Sequence, residues 1–299
     1  MCFDNLRPIE QKPLRLPRYI PLIDHRYRRS QPLKWPIVAI TTYKLFRLRN
    51  NKNEYRAIGE TPQQIRQAFG LASDTQILLV GVANDPALEK YWACHQTDQA
   101  PSQIERLGVL GAIGPNFSHF LDVPRTDNLF NRKRQLLCLE ELYNAGVCPI
   151  PHLSAAAPGD WHFWRTYLQE NPSINTVAVE FQTGNKNWTE GKKVLEEIAY
   201  IQTQIGRPLH LLMVGGGQFI TNAAESFEQL TLVDSFPFMK AMKRRSFVEG
   251  VTRRMWQESY SLERQPLDDL LYRNIDGYSS WAESAVCRVQ LQHNWPRPR

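Results

Sequence analysis

The sequence predicts an α/β protein built as a (β/α)8-type (TIM-like) barrel that need not be regular. Three observations predict it: short apolar runs recur every 20 to 40 residues, amphipathic stretches separate them, and the runs are apolar throughout rather than alternating. The chain has 299 residues, and an α/β barrel uses about 250 in a single unit. One barrel with additions at its ends therefore accounts for the length.

Residues 1–36 are predicted to be an extended, proline-rich, basic arm that lies over the barrel. Six prolines in this segment forbid a long helix. Residues 19–23 have strand character, since a proline such as Pro21 is tolerated in an edge strand. We expect this segment to supply the first of eight strands.

The barrel itself is predicted to cover residues 37–245. Its seven further strands are residues 37–40, 77–83, 109–113, 147–153, 176–179, 209–214 and 230–233. A doubly wound open sheet is the alternative, but Thr41 and the residues after it do not form the glycine-rich turn of a dinucleotide site. Residues 246–299 are predicted to be a helical extension that packs on the barrel.

Helix boundary signals separate the predicted strands. One helix begins after Thr61, a good N-cap residue followed by Pro62, and ends at Gly70. A second helix ends at Gly146. A third shows the i, i+4, i+7 apolar spacing of an amphipathic helix and ends at Gly206.

Composition excludes several classes of protein. The longest apolar run, residues 77–83, is far shorter than the ~20 residues of a membrane span, and the N-terminus lacks a signal-peptide pattern, so we expect no membrane association and a cytoplasmic location. Five widely spaced cysteines without a C-x-x-C pair argue against a disulfide framework, a zinc knuckle or an iron–sulfur cluster. The sequence identifies no metal site, no cofactor and no oligomeric state.

Charge is concentrated in two segments. Residues 1–36 and residues 240–254 each carry a net charge of +5, which leaves −4 on the remainder of a chain whose total is +6. Two basic segments on an acidic body predict binding of a polyanion, most simply nucleic acid, through Arg26, Arg28, Arg29, Lys243, Arg244, Arg245, Arg253 and Arg254. The alternative is that both are merely solvated surface.

Polar residues follow six consecutive predicted strands. In barrel enzymes the working side chains lie at these carboxyl ends. Glu180 and Asp234 are the predicted acid, base or nucleophile, and Asn116 is a further candidate catalytic residue. His152 is a candidate base or metal ligand, with a neutral hydrogen-bonded histidine as the alternative. The structural alternative is that each carboxylate is hydrogen-bonded to a neighbouring strand.

Three consecutive glycines, Gly215, Gly216 and Gly217, directly follow the seventh predicted strand. Bare backbone amides at this position suit a phosphate group, although a tight turn explains the glycines equally well. The other predicted substrate-binding residues are Asp85, Ser118, Arg125, Gln182 and Gln218.

Several motifs follow one another between residues 80 and 155: Asp85 with Leu88-Glu89 and Trp92, Gly114-Pro-Asn-Phe-Ser118, Asp122-Val-Pro-Arg125, Asn131, Arg132, Arg134, and Val147-Cys-Pro-Ile-Pro-His152. They resemble the core of a family described only as a domain of unknown function from bacteria, archaea and phages. That core reads Pro-Asp-Phe-Ser, then Met-Pro-Arg, then a helix with spaced Asn and Arg, then Val-Ile-Pro. Asn116 stands where the family usually has Asp. The resemblance implies a mobile-element setting and names no reaction.

A looser similarity links the βα rhythm and the glycine-rich turn to base-exchanging transglycosylases, without their zinc cysteines. The leading hypothesis is accordingly a barrel enzyme that acts on nucleic acid or a nucleotide by glycosyl transfer or hydrolysis. The alternative is a barrel without catalysis that binds nucleic acid, or docks a protein partner, in a replication or defence complex. A small-molecule phosphosugar enzyme is a third class.

Overall fold

The computed structural model describes residues 6–49, 54–249, 254–259 and 266–292. The strands in these ranges are β1 (Tyr19–Pro21), β2 (Ile37–Thr41), β3 (Phe46–Arg49), β4 (Glu54–Ala57), β5 (Gln76–Val80), β6 (Gly111–Ile113), β7 (Pro149–Ile150), β8 (Thr176–Glu180), β9 (His210–Val214), β10 (Gln229–Asp234), β11 (Arg245–Glu249) and β12 (Arg254–Glu258). The α-helices are α1 (Thr42–Leu45), α2 (Pro62–Phe69), α3 (Asp85–Cys94), α4 (Ala100–Arg106), α5 (Arg125–Asn144), α6 (Pro158–Glu170), α7 (Trp188–Ile205), α8 (Ile220–Ser226), α9 (Phe236–Met242) and α10 (Asp268–Gln292).

The prediction of a single eight-stranded barrel is wrong. All eight predicted segments contain strands, but their ladders form two separate four-stranded parallel sheets, with the orders β1-β10-β9-β8 and β2-β5-β6-β7. The remaining strands form two antiparallel pairs, β3 with β4 and β11 with β12. Prolines explain why the ladder of β7 is short. Pro149 begins this two-residue strand, Pro151 follows Ile150 directly, and a proline has no amide hydrogen to donate to a neighbouring strand.

Isolated bridges join the edges of the two parallel sheets. Leu22 pairs with Ala39, and His152 pairs with Ala178, and both bridges are parallel. All eight strands therefore run in the same direction, so that their carboxyl ends lie at one end of the molecule. This end positions the candidate site.

Two apolar clusters make the core. One takes inward-facing side chains from all eight parallel strands, such as Ile20 of β1, Ile150 of β7 and Val233 of β10. The larger cluster lies between the outer faces of the sheets and the helices, where Leu195 and Ile198 of α7 are buried. Covering both faces of these strands explains why they are apolar throughout.

The residues after α9 differ from the predicted all-helical extension. Residues 245–249 and 254–258 form the β11–β12 hairpin, and α10 is the helix among the described residues that follow it. Phe247 lies opposite Trp256 in this hairpin, and its ring packs so closely on α10 that a Cβ at Gly277 would lie 2.7 Å from it. Aromatic pairing across strands therefore overrides the helical prediction.

Helix boundaries agree with the sequence signals. Thr61 forms a capping box with Gln64, and Gly70 and Gly206 end α2 and α7 with left-handed φ angles of 59° and 67°. Among the described residues, no helix is both long enough and apolar enough to cross a membrane.

Candidate functional site

A cavity of about 500 Å³ opens at the carboxyl ends of β5, β6, β7 and β8. Its walls come from the segments that follow these strands: Ala83, Asn84, Asp85, Asn116, Phe117, Ser118, His119, Phe120, His152, Leu153, Ser154, Ala155, Trp161, Glu180, Thr183, Gly184, Asn185 and Val194. Clefts of about 520 and 610 Å³ also lie around Gly59 and Glu60, but none of the described residues that line them is a buried titratable group. The first cavity is therefore the candidate site.

Glu180 ends β8 and is buried in the wall of this cavity. One carboxylate oxygen accepts hydrogen bonds from the backbone amides of Gln182 at 2.7 Å and Thr183 at 3.3 Å, and the other accepts from the Thr183 hydroxyl at 2.6 Å. The turn after β8 thus fixes the carboxylate in one orientation.

His152 follows β7 and is buried beside the same cavity. Its Nδ1 lies 2.9 Å from the Ser154 hydroxyl, whereas its Nε2 is buried without a hydrogen-bond partner among the described residues. Burial lowers the pKa of this imidazole to about 4, against the opposing charge of Glu180. His152 is therefore neutral at pH 7 and has an uncommitted ring nitrogen.

His119 is a second neutral imidazole, and the sequence did not identify it. Its Nδ1 lies 3.0 Å from the carbonyl oxygen of Phe117. Because a carbonyl only accepts, Nδ1 carries the proton, and Nε2, which is buried without a partner in the described chain, presents a lone pair. Burial, and then the positive charge of Arg132, lower the pKa of His119 to about 4.

Helix α5 holds the loop that carries His119. The side chain of Asn131 donates to the carbonyl of Ser118 at 2.6 Å, and that of Gln135 donates to the carbonyls of Pro115 and His152 at 2.9 and 2.7 Å. Asn131, Arg132 and Arg134 belong to the motifs that the sequence analysis singled out in this helix, yet none of them lines the cavity. They shape the site by positioning its loops.

Asp160, at the start of α6, anchors this arrangement in the core. Its fully buried carboxylate accepts hydrogen bonds from Arg132, from Arg125 at 2.5 Å and from the backbone amides of Ala156 and Ala157, both at 2.8 Å. Burial alone would raise the pKa of this carboxyl, but these hydrogen bonds outweigh burial and hold it well below its ordinary value. Arg125, predicted to bind phosphate, is thus paired with Asp160.

Asp234 does not join Glu180 in the cavity. Its carboxylate accepts hydrogen bonds from the amide of Phe236 at 2.9 Å and from the hydroxyl of Tyr278, in α10, at 2.6 Å. Strand β9 also lies between β8 and β10, so the two strands are about 10 Å apart at the ordinary spacing. Of the two readings of Asp234, the structure favours the hydrogen-bonded structural carboxylate.

The glycine turn after β9 also lies outside the cavity lining. Gly215 and Gly216 have φ angles of 73° and 74°, and a Cβ at Gly216 would lie 2.5 Å from the side chain of Phe181. The amide of Gly215 donates to the carbonyl of Val233 at 2.8 Å, so it is not free for phosphate. These contacts support the tight-turn alternative. The other predicted ligands here, Gly217, Gln182 and Gln218, do not line the cavity either.

Three of the predicted residues do line the cavity alongside Glu180 and His152. Ser118 donates to the carboxylate of Asp85 at 2.7 Å, and the side-chain oxygen of Asn116 accepts from the amide of Ala83 at 2.9 Å. These bonds tie the loop after β5 to the loop after β6. The sequence missed His119, Thr183 and Trp161, although their positions after predicted strands were an available signal.

The two basic segments touch each other, and we give the name basic face to their exposed and half-buried cations, Arg26, Arg28, Lys240, Lys243 and Arg245. The imidazole of His25 packs 5.0 Å from the ring of Phe238 and joins the arm to α9. Burial, followed by the charges of Arg245 and Lys243, lowers the pKa of Lys240, so these cations lie close together. The rings of Tyr27 and Phe236 are 66% and 46% exposed on the same segments.

Other predicted nucleic-acid contacts are not part of the basic face. Arg29 is buried and donates to the carbonyls of Gly70 at 3.0 Å and His25 at 2.8 Å, so it holds the end of α2. Arg244 is half-buried at a left-handed turn with φ 51°. Arg253 lies outside the described residues, and Arg254 is described only as part of β12.

Comparison with known proteins adds no family. No protein-family model matches this chain, and no curated protein matches it either.

The two cavity histidines predict that the protein loses stability in mild acid. Their pKa values in the folded state, about 4, lie below the ordinary value of 6.5. The unfolded chain therefore binds more protons between these values, so the stabilisation is complete above pH 6.5 and falls as the pH drops toward 4. Urea denaturation between pH 7 and pH 4.5 should show this decline. A His119→Asn, His152→Asn double variant should decline less steeply, and equal slopes in this variant and in the exposed-site control His162→Asn would contradict the assignment.

Proposed function

We propose that the protein is an enzyme that acts on the nucleoside part of a nucleic acid or nucleotide, with the basic face holding the phosphates. The observation that carries this proposal is the pair of neutral imidazoles of His119 and His152 in the wall that also holds Glu180, each with an Nε2 that lacks a partner among the described residues. A cytoplasmic location, where nucleic acids and nucleotides are made, is part of this proposal.

The lining of the cavity suits a nucleoside better than a phosphate. Of the described residues, those that line it include neither lysine nor arginine, whereas Asp85 and Glu180 are acidic. These carboxylates would repel a phosphate, so the phosphate lies outside the cavity. Phe120, 48% exposed, and Trp161 offer ring faces for stacking on a base, and the Asn, Ser and Thr side chains offer hydrogen bonds to base and sugar.

The geometry supports hydrolysis of the bond between sugar and base. In the step we propose, a water oxygen attacks the anomeric carbon and gives its proton to Nε2 of His152, while the carbon–nitrogen bond breaks and its electrons leave with the base. The carboxylate of Glu180 stabilises the positive charge that develops on the sugar. His152 then returns its proton to the departing base, which restores the site.

The proposed reaction is tested by a search for products. The full chain is incubated with single-stranded DNA and RNA, with nucleotides and with nucleosides, and released bases and sugars are identified by mass spectrometry. Release of a free base that a heat-inactivated sample does not produce supports the proposal. Tight binding of every nucleic acid without release of base supports the second candidate instead.

The second candidate function is binding of nucleic acid without catalysis. The basic face and the exposed aromatic rings beside it favour this candidate. Under either candidate, affinity for a fluorescent single-stranded oligonucleotide should fall steeply with salt. A Lys240→Ala, Arg245→Ala double variant should bind more weakly, and the slope of log Kobs against log salt should become shallower by about 1.4, since each phosphate contact on a single strand contributes about 0.7.

The matched control for this salt series removes two exposed cations elsewhere, with Lys90→Ala in α3 and Arg106→Ala in α4. Its slope should equal that of the wild type within error. If the control changes the slope as much as the basic-face variant does, binding is a property of the total charge, and the basic face has no special role.

A further inference from the structure

A second cluster of reactive side chains lies away from the cavity, where the end of α3 meets α5. It consists of His95, Cys138 and Glu141, each of which offers one atom within 4.8 Å of the other two. His95 is 3% exposed and Cys138 is fully buried, while the side chain of Glu141 is 23% exposed. The proposed function uses none of these residues, so this cluster is independent of it.

The orientation of His95 directs Nε2 into the cluster. Nδ1 of His95 lies 2.7 Å from the carbonyl oxygen of Trp92, and because a carbonyl only accepts, Nδ1 carries a proton. Nε2 lies 3.0 Å from Oε2 of Glu141, and the two form an ion pair when His95 is protonated. The Cys138 sulfur lies beside them, so a metal ion that replaces the proton of Nε2 would meet three ligand atoms.

We propose that His95, Cys138 and Glu141 bind one Zn²⁺ ion. Sulfur, imidazole nitrogen and carboxylate oxygen are the ligands that zinc takes in proteins, and bond lengths of about 2.0–2.3 Å place the ligand atoms of a tetrahedral site roughly 3.3–3.7 Å apart. Small shifts of side chains already within 4.8 Å of one another reach this spacing. The thiolate argues against magnesium and calcium, which prefer oxygen ligands.

The surroundings of the cluster match those of zinc ligands. The Trp92 carbonyl fixes the tautomer of His95, and the side chain of Gln96 donates to Oε1 of Glu141 at 2.7 Å and leaves Oε2 for the metal. The rings of Tyr91 and Trp92 stack on His95 at 5.6 and 4.7 Å. A zinc ion here links α3 to α5, the helix that holds the cavity loop, and leaves its fourth position to water.

Metal analysis of the full chain tests this site. The protein is stripped with a chelator, reloaded with Zn²⁺, dialysed and analysed by mass spectrometry of the metal, and a parallel sample is loaded with Co²⁺. We expect one zinc ion per chain and, with cobalt, the near-ultraviolet absorption of a thiolate ligand. Cys138→Ser should lose both, whereas Cys148→Ser, which removes a half-buried thiol elsewhere, should keep both.

If the Cys138→Ser variant does not fold, the Glu141→Gln variant tests the zinc site instead. Its amide retains the hydrogen bond to Gln96 but removes the negative charge, so we expect a folded protein with zinc affinity at least about tenfold weaker. Chelator should lower the Tm of the wild type by more than that of Glu141→Gln. The proposal is overturned if the wild type retains no zinc, or if the wild type and Glu141→Gln bind zinc with equal affinity.

Discussion

Replacement of Asp160 by asparagine is expected to lower the free energy of unfolding by about 3–5 kcal/mol, the usual cost of breaking a buried ion pair. Asp160 is fully buried, and Arg132, its closest partner, is 1% exposed. Asparagine has nearly the same shape, but it leaves the Arg132 guanidinium buried without a counter-ion. Urea denaturation followed by circular dichroism measures the loss.

Asp127→Asn is the matched control for this prediction. Asp127 lies in the exposed first turn of α5, near Arg125, so its replacement should change the free energy of unfolding by no more than about 0.5 kcal/mol. A loss below about 1 kcal/mol in Asp160→Asn would show that the buried pair contributes little. Because Arg132 belongs to α5, Asp160→Asn should also weaken any ligand binding in the cavity.

Glu180→Gln should reduce turnover by at least about 100-fold, the lower range for loss of a positioned acid, base or charge-stabilising group. Glutamine can still accept from the amides of Gln182 and Thr183, and its NH₂ can donate to the Thr183 hydroxyl, so the turn and the fold should persist. What disappears is the negative charge to which the proposed function assigns the stabilisation of the sugar cation. The rate of base release under saturating substrate is the readout.

Two controls separate this effect from a general loss of structure. Glu225→Gln, an exposed carboxylate on α8, should retain the wild-type rate and the same melting temperature. His152→Asn should also lose turnover while oligonucleotide affinity, which rests on the basic face, stays within about twofold. If Glu180→Gln and Glu225→Gln release base equally fast, Glu180 has only a structural role.

The sequence located the parallel strands well because their cause is local. A strand buried on both faces is a continuous apolar run, which can be read without knowing its neighbours. How the strands pair depends on partners distant in sequence, and the prolines of β7 end a ladder that periodicity alone would continue. The β11–β12 hairpin was missed because it is stabilised by the packing of Phe247 on α10.

In the candidate site, too, features with a local cause were predicted, and features that depend on distant residues were not. Glu180, His152 and Asn116 line the cavity because each lies at the carboxyl end of a parallel strand, a position that can be predicted from the sequence. Asp234 also lies at such an end, yet its carboxylate accepts a hydrogen bond from Tyr278, 44 residues away in the chain. Arg29 likewise counts as a surface cation in the sequence but is buried against backbone carbonyls at the end of α2.

The claim that the cavity holds the nucleoside is tested most directly by nitrogen-15 NMR of the histidine side chains during titration with a single-stranded oligonucleotide. Spectra of His119→Asn and His152→Asn assign the two signals. We predict that both Nε2 resonances shift as the oligonucleotide saturates the protein, and that Lys240→Ala with Arg245→Ala moves the same shifts to higher oligonucleotide concentration. Saturable binding that leaves both imidazole signals unchanged would contradict the account, because the nucleic acid would then bind without entering the cavity.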